Sequence, residues 1–85
     1  MDNIVSDVKE FILTTFLPGE DPSALSPDTP LMTSGILDSL ATLDLVTFLE
    51  QRYNVQLEAR DTDPSRLATL NDIAKMVSGK LAARA

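Results

Sequence analysis

Residues 35–55, GILDSLATLDLVTFLEQRYNV, contain the helix that decides the fold. From residue 38 onward this stretch has neither glycine nor proline, and it opens with Asp38. Aspartate is a favoured N-cap because its short carboxylate accepts hydrogen bonds from the free backbone N–H groups of the first turn. The sequence therefore predicts a helix over residues 38–53, with Asp38 as its N-cap and Ser39 at the first helical position.

The apolar residues of this helix spread over most of its circumference, whereas a surface helix needs only about a third of its face to be apolar. They are Leu40, Leu43, Leu45, Val46, Phe48, Leu49 and Tyr53. Two interpretations remain open. The helix is either the central, most buried helix of the domain, which is the commoner reason for such a pattern, or part of it meets a partner or lines a pocket.

A further helix and a long loop precede this stretch. Apolar residues at helical spacing predict a helix over residues 3–17, which Pro18 and Gly19 end. Residues 18–35 contain four of the five prolines and are predicted to form a long loop. We expect this loop to be pinned to the core by Leu25, Leu31 and Met32.

After the central stretch, residues 54–62 are predicted as loop. Asp63 followed by Pro64 predicts a short helical turn over residues 63–67. Thr69 opens the last helix, whose core-facing stripe is Leu70, Ile73, Ala74, Val77 and Leu81. The predicted fold is all-α: a small four-helix bundle of three main helices and a short third helix, with residues 1–85 forming a single domain.

The composition excludes several classes of function. The chain has no histidine and no cysteine, so it lacks the side chains most used for proton transfer near neutral pH, thiolate catalysis and metal binding. For a chain of 85 residues with this composition, enzymatic activity is not expected. No residue is predicted to be catalytic or to hold a metal ion.

Charge is distributed unevenly along the chain. Residues 1–50 carry nine acidic side chains and one basic side chain, whereas residues 51–85 carry four acidic and six basic ones. The acidic first part argues against nucleic-acid binding, which needs a basic surface. It suits partners with basic patches, although solubility alone explains the same excess equally well. Neither a membrane-spanning run nor a signal-peptide pattern is present, so we expect a cytoplasmic protein without membrane contact.

Ser39 is the candidate functional side chain. Its position predicts an exposed hydroxyl held on a rigid helix start, where free N–H groups and the positive end of the helix dipole favour an attached phosphate. The neighbouring Asp38 could help a modifying enzyme hold its metal ion. From local chemistry alone, however, a serine near a helix start is most often a simple cap.

The wider stretch from Gly35 to Val55 resembles the acyl carrier protein family. The mark of that family is Asp-Ser-Leu at the start of the second helix, followed by alternating aliphatic and acidic residues. Here the matching residues are Asp38, Ser39, Leu40, Leu43, Asp44, Leu45, Val46, Leu49 and Glu50. The resemblance extends over nearly the whole chain and includes the long loop, the short third helix and the last helix.

This resemblance implies that a phosphopantetheinyl transferase moves 4′-phosphopantetheine from coenzyme A to Ser39. The terminal thiol of this covalent cofactor would then carry cargo as a thioester. The resemblance also implies that the second helix is the main docking surface for partner enzymes, with Asp38 beside the arm. The residues that it assigns to this surface are Leu40, Leu43, Asp44, Val46, Thr47 and Glu50.

The chain departs from fatty-acid carriers in its Gly-Ile-Leu-Asp-Ser lead-in and in its weaker acidic face on the second helix. These features resemble discrete carriers of specialised metabolism and, in part, D-alanyl and other aminoacyl carriers. The first hypothesis is a monomeric, stand-alone carrier of a polyketide or mixed polyketide–peptide pathway, as in antibiotic biosynthesis, served by an acyltransferase, ketosynthase or ligase. The alternatives are a discrete aminoacyl or peptidyl carrier loaded by an adenylating enzyme and, more remotely, a helical interaction module without a prosthetic group.

Overall fold

The computed structural model describes residues 2–19, 21, 23 and 25–84, except for the side chains of residues 2 and 84. Three α-helices form the frame: α1 (Asp2–Thr15), α2 (Ser39–Tyr53) and α3 (Leu70–Arg84). Two 3₁₀ helices, Ala59–Thr62 and Pro64–Arg66, lie between α2 and α3. The described residues contain no strand, which confirms the predicted all-α fold. Within them, no helix has the length and hydropathy needed to cross a bilayer.

The predicted short third helix is present as the second 3₁₀ helix, with the Asp63 carboxylate accepting a hydrogen bond from Ser65 N–H at 3.0 Å. The prediction of loop over residues 54–62 is wrong for Ala59–Thr62, which form the first 3₁₀ helix. Asp61 causes this difference, because its Oδ2 accepts hydrogen bonds from Glu58 N–H at 2.9 Å and from Lys80 Nζ at 2.7 Å. The contact with Lys80 comes from a distant part of the sequence, so local composition could not reveal it.

The core lies mainly between α1 and α3. The Thr69 Oγ1 accepts a hydrogen bond from Asp72 N–H at 3.1 Å and so satisfies one of the free donors at the start of α3. As the stripe on this helix predicts, its core-facing residues are buried, except that Leu81 is only half-buried. The buried apolar residues of the two helices are Ile4, Val8, Ile12, Leu70, Ile73, Ala74, Met76 and Val77.

The long loop between α1 and α2 is anchored as predicted. Leu25 and Leu31 are fully buried, and Met32 is half-buried. The backbone N–H of Leu31 donates to the Ala68 carbonyl at 2.8 Å, which ties the loop to the segment before α3. The position of the chain that enters α2 is therefore set by the core and not by the loop alone.

The C-terminal end of α2 is joined to α1. The ring of Phe48 stacks on Phe11 with a centroid distance of 4.2 Å. The Asp7 Oδ2 accepts hydrogen bonds from Tyr53 OH at 2.9 Å and from Arg52 Nη2 at 3.3 Å. These contacts fix the end of α2 that lies farthest from Ser39.

Candidate functional site

Asp38 and Ser39 form the start of α2 as the sequence predicts. Asp38 has an extended backbone, with φ −105° and ψ −170°, and its Oδ1 accepts a hydrogen bond from Ala41 N–H at 2.8 Å. Its carbonyl accepts two further hydrogen bonds, from Thr42 N–H at 2.9 Å and from Thr42 Oγ1 at 2.7 Å. Asp38 therefore supplies the cap, which leaves the Ser39 side chain without that task.

The turn that leads into α2 is held from both sides. Gly35 has a φ of +84°, in the left-handed region that favours glycine, and its N–H donates to the Met32 carbonyl at 3.1 Å. Leu37 is buried, and its N–H donates to the Leu31 carbonyl at 2.9 Å. Ser39 thus follows a buried anchor by two residues and stands on a fixed corner of the molecule.

The Ser39 hydroxyl is exposed and makes no hydrogen bond to any described residue. The backbone N–H groups of Ser39 and Leu40 likewise have no partner in the described part of the chain. Free N–H groups at a helix start and the positive end of the helix dipole together favour a negatively charged group. The site therefore fits a phosphate ester on the Ser39 oxygen.

A cavity of about 400 Å3 lies beside Ser39, between the start of α2 and the two 3₁₀ helices. It is lined by Met32, Leu37, Asp38, Ser39, Thr42, Thr62 and Pro64. The sequence identified Asp38 and Ser39, but it did not place Thr62 or Pro64 near them. The turn at Pro64 was visible in the sequence, whereas its position against α2 depends on how the segment before α3 packs.

The exposed face of α2 begins one residue after Ser39. Leu40 and Leu43 are 74% and 64% exposed and are the exposed large apolar side chains among the described residues. Asp44 and Thr47 are also exposed and occupy the same side of the helix, because residues three, four and seven apart share a face. The structure thus brings together four of the six residues predicted for partner docking.

The other two residues of that prediction have different surroundings. Val46 is half-buried. Glu50 is also half-buried, and its Oε2 accepts a hydrogen bond from Leu57 N–H at 3.0 Å. Glu50 consequently helps to hold the segment after α2, in addition to any contact that it makes with a partner.

The described residues include no cluster of carboxylate side chains suited to a metal ion, and the chain has no histidine or cysteine. Among them, every buried side-chain nitrogen and oxygen has a hydrogen-bond partner. Ser39 therefore has an exposed hydroxyl without a neighbouring histidine or thiol to activate it. This arrangement is a small helical domain with an exposed serine hydroxyl at the capped start of α2.

Comparison with known proteins identifies the family. Residues 17–77 match the family model described as a phosphopantetheine attachment site. The match covers most of the chain and includes all of α2, so this chain belongs to the acyl carrier protein family. Its cofactor is covalent 4′-phosphopantetheine, and it is a non-catalytic carrier, as the sequence predicts. Carrier proteins of this family interact with a phosphopantetheinyl transferase and with biosynthetic enzymes.

Individual relatives show the same class of protein. The chain is 38% identical over 66 residues to "Probable acyl carrier protein PigG" from Serratia sp. (strain ATCC 39006), a match covering 78% of this chain and 75% of that protein. It is 36% identical over 75 residues to "D-alanyl carrier protein" from Streptococcus suis (strain 98HAH33), covering 86% of this chain and 90% of that protein. The relatives therefore include both an acyl and an aminoacyl carrier.

Proposed function

We propose that this chain is a discrete acyl carrier protein that bears its phosphopantetheine on the Ser39 oxygen. The observation that carries the proposal is the exposed Ser39 hydroxyl, which has no hydrogen-bond partner among the described residues and stands at a helix start already capped by Asp38. A serine that serves only as a cap would use its own side chain for that purpose. Here Asp38 performs it, so Ser39 is available for modification.

Two features beside Ser39 accommodate the phosphopantetheine arm. The free N–H groups of Ser39 and Leu40 are placed to stabilise the phosphate, and the cavity toward Thr62 and Pro64 gives the arm room to leave the surface. When attached, the cofactor supplies a thiol that carries cargo as a thioester. The protein contributes position and recognition, which accords with the absence of cysteine from its sequence.

The docking surface in this proposal is the exposed face of α2. Leu40 and Leu43 offer apolar contact area next to the arm, and Asp44 and Thr47 border it. Val46 and Glu50 lie at the edge of this surface. An enzyme that binds here would bring its active site close to Ser39 without disturbing the core, because the buried residues of α2 face the opposite side.

The pathway in this proposal is the synthesis of a polyketide or a mixed polyketide–peptide, with an acyltransferase, ketosynthase or ligase as partner. The acyl carrier among the relatives supports acyl cargo. The D-alanyl carrier proteins support a second candidate, a discrete aminoacyl carrier loaded by an adenylating enzyme. The proposal takes residues 1–85 as one carrier domain that acts as a monomer in the cytoplasm.

The attachment site can be tested by intact-protein mass spectrometry. The chain would be incubated with coenzyme A, magnesium and a broad-specificity phosphopantetheinyl transferase, beside Ser39→Ala and the matched control Ser34→Ala. We expect a gain of one phosphopantetheine on the parent and on Ser34→Ala, and none on Ser39→Ala. A gain on folded Ser39→Ala would show that another hydroxyl is the attachment point.

The cargo class can be tested on the modified protein. It would be offered acyl-coenzyme A with an acyltransferase in one reaction, and amino acids with an adenylating enzyme and ATP in another. Thioester formation in the first reaction alone would support the acyl carrier. Loading by the adenylating enzyme alone would replace it with the aminoacyl carrier.

A further inference from the structure

A second exposed feature borders the two 3₁₀ helices, residues 59–66, which we call the 3₁₀ segment. It is a shallow groove of about 270 Å3 between this segment and α3, lined by Arg60, Asp61, Arg66, Lys75, Met76, Gly79, Lys80 and Ala83. We call it the basic groove. Four of its residues are cationic and one is anionic, in a chain whose net charge is −6. This concentration of positive charge opposes the general character of the surface.

The charges of the basic groove are only partly compensated within the chain. Lys80 and Asp61 pair at 2.7 Å with little exposure, so they largely cancel. Arg60 pairs with Glu58, but both side chains are more than half exposed, and such pairs contribute little. Arg66 and Lys75 are exposed and form no ion pair with the described residues. The rim thus retains cationic side chains that can meet a partner.

One residue that lines the basic groove is a glycine, although its backbone conformation does not require one. Gly79 lies within α3, its φ is not in the left-handed region, and a Cβ atom added there would meet no atom within 4 Å. Glycine inside a helix is less stable than alanine, because it loses more conformational freedom on folding. The space above Gly79 is therefore open to an atom from outside the chain.

We propose that the basic groove binds an acidic segment of a partner protein, with Arg60, Arg66 and Lys75 facing its carboxylates and Gly79 admitting its backbone. Charge complementarity selects this occupant. A nucleic acid would carry its continuous row of phosphates beyond the groove onto the acidic remainder of the chain, whereas a short acidic segment need contact the groove alone. The long, separated side chains of the rim suit a spread of carboxylates better than a single small anion.

The position of the basic groove relates this binding to the arm. Thr62 and Pro64 line the cavity beside Ser39, while Arg60, Asp61 and Arg66 line the groove. Neighbouring residues of the 3₁₀ segment therefore line both sites. An enzyme that meets the exposed face of α2 can hold the carrier at this second point as well.

The proposal can be tested by NMR titration of the full ¹⁵N-labelled chain with a short peptide of alternating glycine and glutamate. The matched probe is the same peptide with glutamine in place of glutamate. We expect saturable shifts centred on Arg60, Arg66, Lys75 and Gly79 with the acidic peptide only, and their loss at high salt. Absence of shifts, or shifts centred elsewhere, would overturn the proposal. Ser39 need not be modified for this experiment, so its failure is separate from failure of the attachment site.

Four variants sharpen the test. We expect Arg66→Gln combined with Lys75→Gln to weaken peptide binding about tenfold, and the control Lys9→Gln on α1 to leave it unchanged. Gly79→Leu should close the groove and abolish the shifts. Gly79→Ala should raise the melting temperature by about 4 °C. Equal binding by the parent and Gly79→Leu would show that the groove is not the site, and shifts that depend only on carrier concentration would assign the surface to a second copy of this chain.

Discussion

α2 and α3 have the same length, 15 residues each, but they use their apolar side chains differently. In α3, Leu70, Ile73 and Val77 are fully buried. In α2, Leu45 and Leu49 are buried, whereas Leu40 and Leu43 are exposed. Burial of apolar area is the main favourable term in folding, so an exposed leucine adds little to stability. The core accounts for the apolar pattern of α3, whereas it leaves Leu40 and Leu43 of α2 unexplained, and the proposed docking surface assigns them a role.

The largest expected effect on stability separates a matched pair of substitutions, one in α3 and one in α2. Leu70→Ala in α3 should lower the free energy of unfolding by about 2–5 kcal/mol, because it removes buried methyl groups and leaves a cavity. Leu43→Ala in α2 should change it by less than about 0.5 kcal/mol, because the side chain is 64% exposed. Urea denaturation followed by circular dichroism measures both.

The control for this pair is Leu45→Ala, which lies on the buried side of α2. It should resemble Leu70→Ala and differ from Leu43→Ala, since burial and not the choice of helix sets the cost. If Leu43→Ala were as destabilising as Leu45→Ala, the exposed face of α2 would be part of the core and would not be a docking surface.

The second effect concerns the ion pair through which α3 holds the 3₁₀ segment. Asp61→Asn should lower the free energy of unfolding by about 2 kcal/mol, because it leaves Lys80 only one-fifth exposed and without its partner. Thermal unfolding measures the change. The exposed pair Arg60–Glu58 offers the matched control, since Arg60→Gln should cost less than about 0.5 kcal/mol.

The Asp61 carboxylate should also make the free energy of unfolding depend on pH in the acid range. Burial acts to raise the pKa of Asp61, but hydrogen bonds from Lys80 and from Glu58 N–H outweigh it and lower the pKa. The stability that a depressed pKa contributes is present above the unfolded value of about 3.9 and is lost as pH falls through the folded value. In Asp61→Asn, the free energy of unfolding should therefore fall less steeply as the pH is lowered below about 4. An equally steep fall would mean that other carboxylates cause it.

Sequence patterns predicted what depends on neighbouring residues. Asp38 and Ser39 could be placed because a cap and the first helical position follow from a few adjacent residues. The contact of Asp61 with Lys80 could not, because nineteen positions separate them and no local pattern links them. The exposure of Leu43 also depends on packing: the apolar spread on α2 slightly favoured a central buried helix over a docking helix, and which of its leucines are exposed follows only from the placement of α1 and α3.

The third effect concerns the end of α2 that is fixed to α1. Burial, followed by the hydrogen bond to Asp7, raises the pKa of Tyr53 to about 12. Its stabilising effect is complete below the unfolded pKa of about 10 and is lost as pH rises through the folded value. Tyr53→Phe should cost about 1 kcal/mol near neutral pH. Because the chain has one tyrosine and no tryptophan, ultraviolet absorbance follows this group alone.

Asp7→Asn is the control for the tyrosine titration. The substitution keeps a hydrogen-bond acceptor near the Tyr53 hydroxyl, which lies 2.9 Å from Asp7 Oδ2 in the parent, but removes the negative charge. The midpoint of the Tyr53 titration should therefore move down toward 10. If Tyr53 in the folded parent titrated with a midpoint near 10, its hydroxyl would not be held by Asp7. The C-terminal end of α2 would then not be fixed to α1 through this hydrogen bond.

Leu43→Ala, the substitution with the smallest expected effect on stability, is the one that tests the docking surface for the transferase. Leu43→Ala should leave the fold intact yet lower kcat/KM for phosphopantetheine transfer about threefold to fivefold, because it removes one apolar contact with the transferase. Glu10→Gln, which is exposed on α1 and lies outside this face, should leave kcat/KM unchanged. Equal losses in both variants would indicate an effect that is not specific to the exposed face of α2. No loss in Leu43→Ala would remove this leucine from the docking surface of the transferase, and its exposure would then have to be explained by an enzyme that acts on the loaded arm.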